Sequence, residues 1–228
     1  MKLLNRKVSS MKKIIAFSLW GDNPKYTIGA IKNAILAKEY YPGWVTRFYV
    51  GSDVDNAILA DLKENDAEVI VMPEEGNWTG MFWRFLPAAD PDVEVMISRD
   101  TDSRLSKRES EAVNEWIQSS KMFHIMRDHP HHNTHILGGM WGVKSPLLRN
   151  IDKMINDYNK GNFWQVDQNF LREVIYPIVA NTSCVHDEFF EMKKWPSPRN
   201  GFEFVGQVFD ENEVTVAEHI ESLKSHLR

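Results

Sequence analysis

The stretch Val93-Glu94-Val95-Met96-Ile97-Ser98-Arg99-Asp100-Thr101-Asp102 is an apolar run that ends in two carboxylates one residue apart. Its apolar part reads as a buried β-strand. Side chains on extended backbone alternate faces, so Asp100 and Asp102 would leave the strand tip toward one point in space. Two such anions repel each other. Without a cation one pKa must rise, whereas a hard divalent ion with oxygen ligands resolves the conflict and can also bridge to a diphosphate. The plainer reading of the same tripeptide is a solvated acidic turn, because Asp-x-Asp arises often by chance.

Upstream of this stretch, Lys12 to Trp20 reads as a buried first strand, and Gly21-Asp22-Asn23-Pro24 follows as turn, N-cap and first helical residue. Ile28, Ile31 and Ile35 recur at helical spacing until Pro42-Gly43. Arg47 to Gly51 makes a second strand, Asp53 caps a helix carrying Ile58 and Leu62, and Glu68 to Met72 makes a third strand. This β-α-β-α-β order predicts a parallel sheet with right-handed crossovers, whose ligands sit beyond the carboxyl ends of the strands. Gly80 to Leu86 reads as a short aromatic helix.

Downstream, Ser106-Lys107-Arg108-Glu109 is a capping box opening a helix that buries Val113, Trp116 and Ile117. Strands are expected at Met122 to Met126, at Ile136 to Val143 and, briefly, at Cys184 to Asp187. Helices are expected from Ser145-Pro146, with Leu148, Ile151 and Ile155 inward, and over Asp167 to Ile175. Val216, Ile220, Leu223 and Leu227 mark a terminal helix that packs on this domain or on a neighbouring or fused one.

With 228 residues and no Pro/Gly/Ser linker, the chain is expected to form one α/β domain. A formal net charge of −5 removes the basic footprint of a nucleic-acid binder. The lone Cys184 excludes an internal disulfide framework and fits a reducing compartment. No segment reads as a signal peptide or approaches the roughly 20 apolar residues of a membrane span, so a cytoplasmic location is expected. Residues 1–11 are expected to be a loosely ordered extension.

Asp100-Thr101-Asp102 after a fourth strand, Gly138-Gly139-Met140-Trp141-Gly142, Asp167-Gln168-Asn169-Phe170-Leu171, His186-Asp187 and Phe204-Val205-Gly206-Gln207-Val208-Phe209 together resemble the GT-A-type glycosyltransferases. More narrowly, the chain is similar to small members from bacterial polysaccharide loci and large algal viruses. The resemblance implies a Rossmann-like domain with a nucleotide-sugar-binding half over 12–105, an acceptor half over 106–210 and the terminal helix over 211–228. It implies transfer of a sugar from a nucleoside-diphosphate sugar, with a UDP-sugar favoured, to a hydroxyl of a glycan acceptor, assisted by Mn2+ or Mg2+. It also places the base and ribose against Phe17, Ser18, Trp20, Tyr26 and the Val50-Gly51-Ser52 turn. Asp100 is assigned mostly to ribose or sugar hydroxyls and Asp102 to the metal, with both in reach of the ion and His186 completing its shell.

Each assignment has a plainer counterpart. Phe17 and Tyr26 also fit core packing, whereas Trp20 stands just past the apolar run, where an indole can stack on a base. Arg84 fits bidentate pairing with the diphosphate, or a surface arginine covering apolar neighbours with its stem. Arg99 and Arg104 balance the acidic pair, and Arg104 is also within reach of phosphate. Asp167 is the candidate general base if configuration inverts, a positioner of the sugar if it is retained, and in the plainer reading a helix N-cap. His186 without the resemblance is an ordinary hydrogen-bonded histidine. The Arg127 to His135 loop lacks a scaffold for zinc, since Pro130 interrupts it and no cysteine is near, so polar recognition of acceptor is expected, with His129 the most exposed histidine. Trp78, Trp83 and Trp164 are either sugar-stacking platforms or packing residues.

Two other functions fit part of the pattern. Haloacid-dehalogenase-type phosphatases also place Asp-x-Asp after an apolar strand, but here three β-α units precede the motif and Arg104 stands two residues after it. A domain that binds nucleotide sugar or glycan without turnover is the non-enzyme alternative, and it is harder to exclude than the phosphatase.

Overall fold

Apolar strands alternating with helices build one seven-stranded sheet covered on both faces. The structure, a computed structural model, describes residues 11–227; the expected N-terminal extension, apart from an exposed Met11, lies outside them. The strands are β1 (Lys12–Leu19), β2 (Val45–Val50), β3 (Glu68–Val71), β4 (Val93–Ser98), β5 (Phe123–Arg127), β6 (Trp141–Lys144) and β7 (Ser183–Asp187). The helices are α1 (Pro24–Tyr40), α2 (Asn56–Glu64), α3 (Lys107–Gln118), α4 (Ile151–Tyr158), α5 (Val166–Phe170), α6 (Tyr176–Val179) and α7 (Ala217–His226). The sheet order is β3-β2-β1-β4-β6-β5-β7. All pairings are parallel except those of β6 with β4 and β5. Strand β6 reverses because a loop without a crossover helix joins it to β5, and such a connection serves only antiparallel neighbours.

From β1 the chain moves outward to β2 and β3, then returns to the other side of β1 with β4. The crevice between the carboxyl ends of β1 and β4 is therefore the topological switch point, where open α/β sheets bind ligands. One face of the sheet is packed by Phe85, Trp141, Phe170 and Ile175, and the other by Phe17, Phe48, Leu62 and Trp116. The α/β class, the mostly parallel sheet and the element order expected from the sequence are all found.

Several local expectations change. The isoleucine stripe docks α1 only in part: Ile31 packs half-buried against the core, but Ile35 is exposed and the fully buried face is Thr27, Gly29, Ala30, Asn33, Ala34 and Ala37. The reason is close approach: a Cβ at Gly29 would overlap the Thr101 carbonyl oxygen. Asn33 Nδ2 donates to the Ser103 carbonyl at 2.8 Å, and its Oδ1 accepts from Leu105 N at 3.0 Å. Small and amide side chains thus clamp the helix onto the turn that carries the acidic pair. The aromatic segment is a 3₁₀ helix over Trp78–Ala89. The strand expected from Ile136 starts only at Trp141, because residues 137–140 turn toward the crevice, and the helix expected from Ser145 begins at Ile151. Ser106 caps α3, but Glu109 turns inward to Arg99 instead of closing the box.

Candidate active site

At the switch point lies a cleft of about 530 Å³, within the usual size of a small-ligand site. Its walls come from the end of β1 and the following turn (Ser18, Trp20, Asp22, Asn23, Tyr26), the acidic turn after β4, the turn before β6 (Leu137 to Met140), the start of α5 (Gln165, Asp167, Gln168) and the C-terminal segment at Gly206 and Val208. Asp100 and Asp102 both face it. They sit just past β4 in a tight turn closed by Ser103 Oγ donating to the Asp100 carbonyl at 2.9 Å, so turn geometry rather than strand alternation brings them to one wall.

The charges are arranged around Arg84. Its side chain is 3% exposed and donates from one Nη to Asp100 Oδ1 and from the other to Asp167 Oδ2 at 2.9 Å. Burial works against its charge, but Asp100 and Asp167 hold its pKa above the ordinary arginine value. Lys25, at the first turn of α1, pairs with Asp102 at 2.8 Å. Three carboxylates thus face two cations. The imbalance appears at Asp102, whose pKa is raised by burial and then by Asp100, against the opposing pull of Lys25. Asp167 is raised as well, by burial first and in spite of Arg84.

Glycines create the room for this cluster. A Cβ at Gly139 would overlap the Asp100 carboxylate, and one at Gly138 would overlap both Arg84 Nη2 and Asp167 Oδ2. Ser98 Oγ holds the same turn by donating to the Gly138 carbonyl at 2.7 Å. The Gly138-Gly139 pair therefore has a physical role, the close approach of backbone to charged side chains.

The cradle fits a divalent cation of the Mg2+ or Mn2+ kind. Such ions are commonly held by one or two carboxylates, with water and phosphate oxygens completing the shell. Among the described residues no group of three or more His, Cys, Asp or Glu side chains is placed to hold a metal, so Asp100 and Asp102 stand without a third protein ligand.

His186 is the clearest correction. It lies 1% exposed under α3, its Nδ1 2.8 Å from His124 Nε2 and its Nε2 3.5 Å from Glu115, and it does not line the cleft. Strand β7 is an edge strand, separated from β4 by β6 and β5. Phe17 is likewise core, fully buried and stacked on Phe48 at 4.6 Å, a burial worth roughly 1.5–3 kcal/mol. Ser52 is exposed and outside the cleft wall, its N–H donating to the Glu74 carbonyl.

Other sequence candidates fall on both sides of that line. Ser18, Trp20, Tyr26, Arg84, Asp100, Asp102 and Asp167 line the cleft. Trp20 is wedged by Gly76 and Gly80 and meets Trp83 edge-on at 6.1 Å. Trp78 and Trp164 reach the cleft with exposed indoles, whereas Trp83 is buried. Arg99 is sealed against Glu109 at 2.6 Å, and Arg104 is taken up by Glu213 and backbone carbonyls, so neither awaits a phosphate. Of the loop histidines, His129 is buried and His132 is the one on the cleft wall.

Sequence reading missed Lys25 and His132. Position next to the Asn23-Pro24 helix start marks Lys25 as near the end of β1. No local signal singles out His132.

No protein-family model matches the sequence, and no curated protein is detectably similar to it. Solved structures are similar in fold. A glycosyltransferase involved in glycosylation of the major capsid of PBCV-1 superposes with a TM-score of 0.53 at 18% identity, over 94% of this chain and 99% of that one. A 4-diphosphocytidyl-2C-methyl-D-erythritol synthase from Anaerococcus prevotii gives 0.52 at 12% identity, over 95% and 99%. A mannosyltransferase from Pyrobaculum calidifontis, in complex with GDP-Man and Mn2+, gives 0.52 at 13% identity, over 80% and 55%. The fold is thus of the GT-A type. Among the described residues no helix is long and apolar enough to cross a membrane.

Proposed function

We propose that this protein is a glycosyltransferase that takes a sugar from a nucleoside-diphosphate donor, a UDP-sugar being favoured, to a hydroxyl of a glycan acceptor. The observation that carries the reading is the surplus of carboxylate over cation at the switch-point cleft, with Asp100 and Asp102 on one wall. The fold likeness to two glycosyltransferases supports it.

In this reading residues 12–105 supply the donor side and 106–210 the acceptor side. Trp20 and Tyr26 border the nucleotide, and Ser18 lies at the inner end of their wall, where its Oγ already accepts from Arg84 N at 3.1 Å. Asp100 and Asp102 would hold a divalent cation, whose chemistry when bound is Lewis-acid neutralisation of charge on the departing diphosphate. Lys25 lies against Asp102 and is free to turn to the same anion once Asp102 is otherwise engaged. Arg84 is a positioning residue, fixing Asp100 and Asp167 relative to each other.

Asp167 is the candidate to receive the acceptor proton. A carboxyl whose pKa is raised by burial is a stronger base than a solvated one, and Asp167 lines the cleft with its side chain 3% exposed. Its bond to Arg84 orients it and limits its basicity, so its action needs the acceptor hydroxyl within hydrogen-bond distance.

The test is a thermal-shift screen of UDP, GDP and their sugars with and without Mn2+, followed by transfer of labelled sugar. A nucleotide present at about a hundredfold over its Kd stabilises the fold by about 2.7 kcal/mol. Stabilisation that needs both nucleotide and Mn2+, with labelled product, is expected. Stabilisation without product from any acceptor would leave a binding module, and no stabilisation by any nucleotide would remove the reading.

A further inference from the structure

The histidine-rich loop after β5 is built differently from a catalytic base. His129 Nε2 lies 2.9 Å from the His219 carbonyl and its Nδ1 accepts from His131 N at 3.0 Å, so both ring nitrogens are engaged internally. His131 Nε2 is 3.1 Å from Ser222 Oγ. Both contacts tie the loop to α7. His132 is different. Its Nδ1 accepts a hydrogen bond from Asp128 N at 3.0 Å, while the half-buried ring lines the cleft and its Nε2 has no protein partner among the described residues.

A ring nitrogen that accepts from a backbone N–H carries no proton, so in neutral imidazole the proton is on the other nitrogen. The surroundings keep the ring neutral. Burial first, then His129, His219 and His131, with Arg199 beyond, push its pKa down to about 3. Gly206, at φ +82, lets the C-terminal segment close over the ring: a Cβ there would press on Met140 Sδ and come within 3.4 Å of His132 Cε1. Met140, Leu137 and Val208 line the cleft with it. An N–H on this part of the cleft wall suits a neutral oxygen, because the cations Lys25 and Arg84 that would hold an anion are grouped at the acids.

We infer that His132 presents Nε2–H as a fixed hydrogen-bond donor to an uncharged oxygen of the acceptor, a sugar hydroxyl or ring oxygen, and takes no part in proton transfer. The acceptor's identity as a sugar rests on the glycosyl-transfer reading above; the donor state rests on the hydrogen bond at Nδ1 and on the surroundings of the ring, and not on that reading. Helix α7 and the Gly206 turn are then the parts of the C-terminal region that hold this donor in place.

Long-range 1H–15N spectra of the full histidine-labelled chain are expected to give the Nε2–H tautomer for His132, unchanged between about pH 8 and about pH 5. An Nδ1–H tautomer, or titration inside that range, overturns the inference. Calorimetric titration with UDP and Mn2+ should give the same affinity for wild type, His132→Ala and His132→Gln within about twofold, and weakening of about tenfold in His132→Ala would assign the ring to the nucleotide instead. Methyl glucoside, galactoside and mannoside are each added to the UDP–Mn2+ complex. At least one should shift the His132 Nε2–H resonance, and no shift with all three overturns the acceptor assignment.

In transfer assays His132→Ala should raise the acceptor KM about tenfold with little change in kcat, and His132→Gln should recover part of it. A fall in kcat of about a hundredfold at unchanged KM would make the ring a proton carrier and overturn the inference. If UDP fails to bind wild type, the glycosyl-transfer reading falls while the spectra still decide the tautomer.

Discussion

Arg84 and Arg99 approach the same short turn from opposite sides and meet different fates. Arg99 and Glu109 are 1% and 2% exposed, paired at 2.6 Å, with the Tyr41 hydroxyl donating to Glu109 at 2.7 Å and the Ser98 and Trp141 carbonyls accepting from Arg99. There one acid meets one cation out of reach of solvent, although Arg99 Nη2 is buried without a partner. At Arg84 the side chain is equally buried, but it serves two acids, and Asp100 is 37% exposed to the cleft. The same chemistry makes a structural clasp when charge is balanced and sealed, and an acidic cleft wall when a carboxylate is left over and open to solvent. Adjacent positions in sequence, Arg99 and Asp100, belong to the two different networks.

The comparison breaks most severely at the closed network. Glu109→Ala would leave Arg99 as an unpaired buried charge at a cost of about 3–5 kcal/mol. A calorimetric melting temperature lowered by roughly 10 °C is expected, with nucleotide binding retained at low temperature. A small change would mean the clasp is not what holds β4 to α3.

On the open side Asp102→Asn should weaken UDP binding in Mn2+ by about a hundredfold, near 2.7 kcal/mol, with an unchanged melting temperature for the free protein. Equal affinity in that mutant, measured by calorimetry, would detach the acidic pair from the cation. Gly139→Ala is gentler. Its methyl group displaces the Asp100 carboxylate without removing it, and a loss of about tenfold in the same titration is expected, about 1.4 kcal/mol.

Acidity probes a third region against these two. His129 and His132 have folded-state values lowered to about 4 and about 3 from the ordinary 6.5, by burial first. For bases lowered on folding, the unfolded chain binds more protons between the folded and unfolded values, so their stabilising contribution is complete above 6.5 and is lost as pH falls to about 4 for His129 and about 3 for His132. Urea midpoints should fall over that window, and less steeply in the double mutant His129→Gln, His132→Gln, where the lowered His124, His186 and His219 still contribute. The smallest effect belongs to His186→Gln, which should leave Mn2+ affinity in the UDP complex unchanged, because its ring pairs with His124 away from the cleft. A loss of metal affinity in this mutant would restore His186 to the site.

Much of the fold is legible in the sequence because strand and helix patterns are local. The apolar run ending at Ser98, the Asn23-Pro24 helix start and the alternation through Val71 locate the sheet and its switch point from neighbours a few residues apart. Residues placed at strand ends by that reading, Ser18, Trp20, Asp100 and Asp102, do line the cleft. The reading fails where distance along the chain matters. The Ile28, Ile31 and Ile35 stripe yields its fully buried places to Gly29 and Asn33 because contact with the Thr101 and Ser103 carbonyls and the Leu105 N–H comes from 68 to 72 residues away.

What the amino-acid order determined by itself is the α/β architecture, the crevice and the two acids at its edge, since periodicity and turn chemistry act over a single element. Only the tertiary structure decided which charges are shared and which are left over. It tied Arg84 to Asp167 across 83 residues, joined Lys25 to Asp102, sent His186 into the core beside His124, and brought Gly206 over His132. Electrostatic balance is a sum over groups that meet only after folding, and no window of sequence contains all its members.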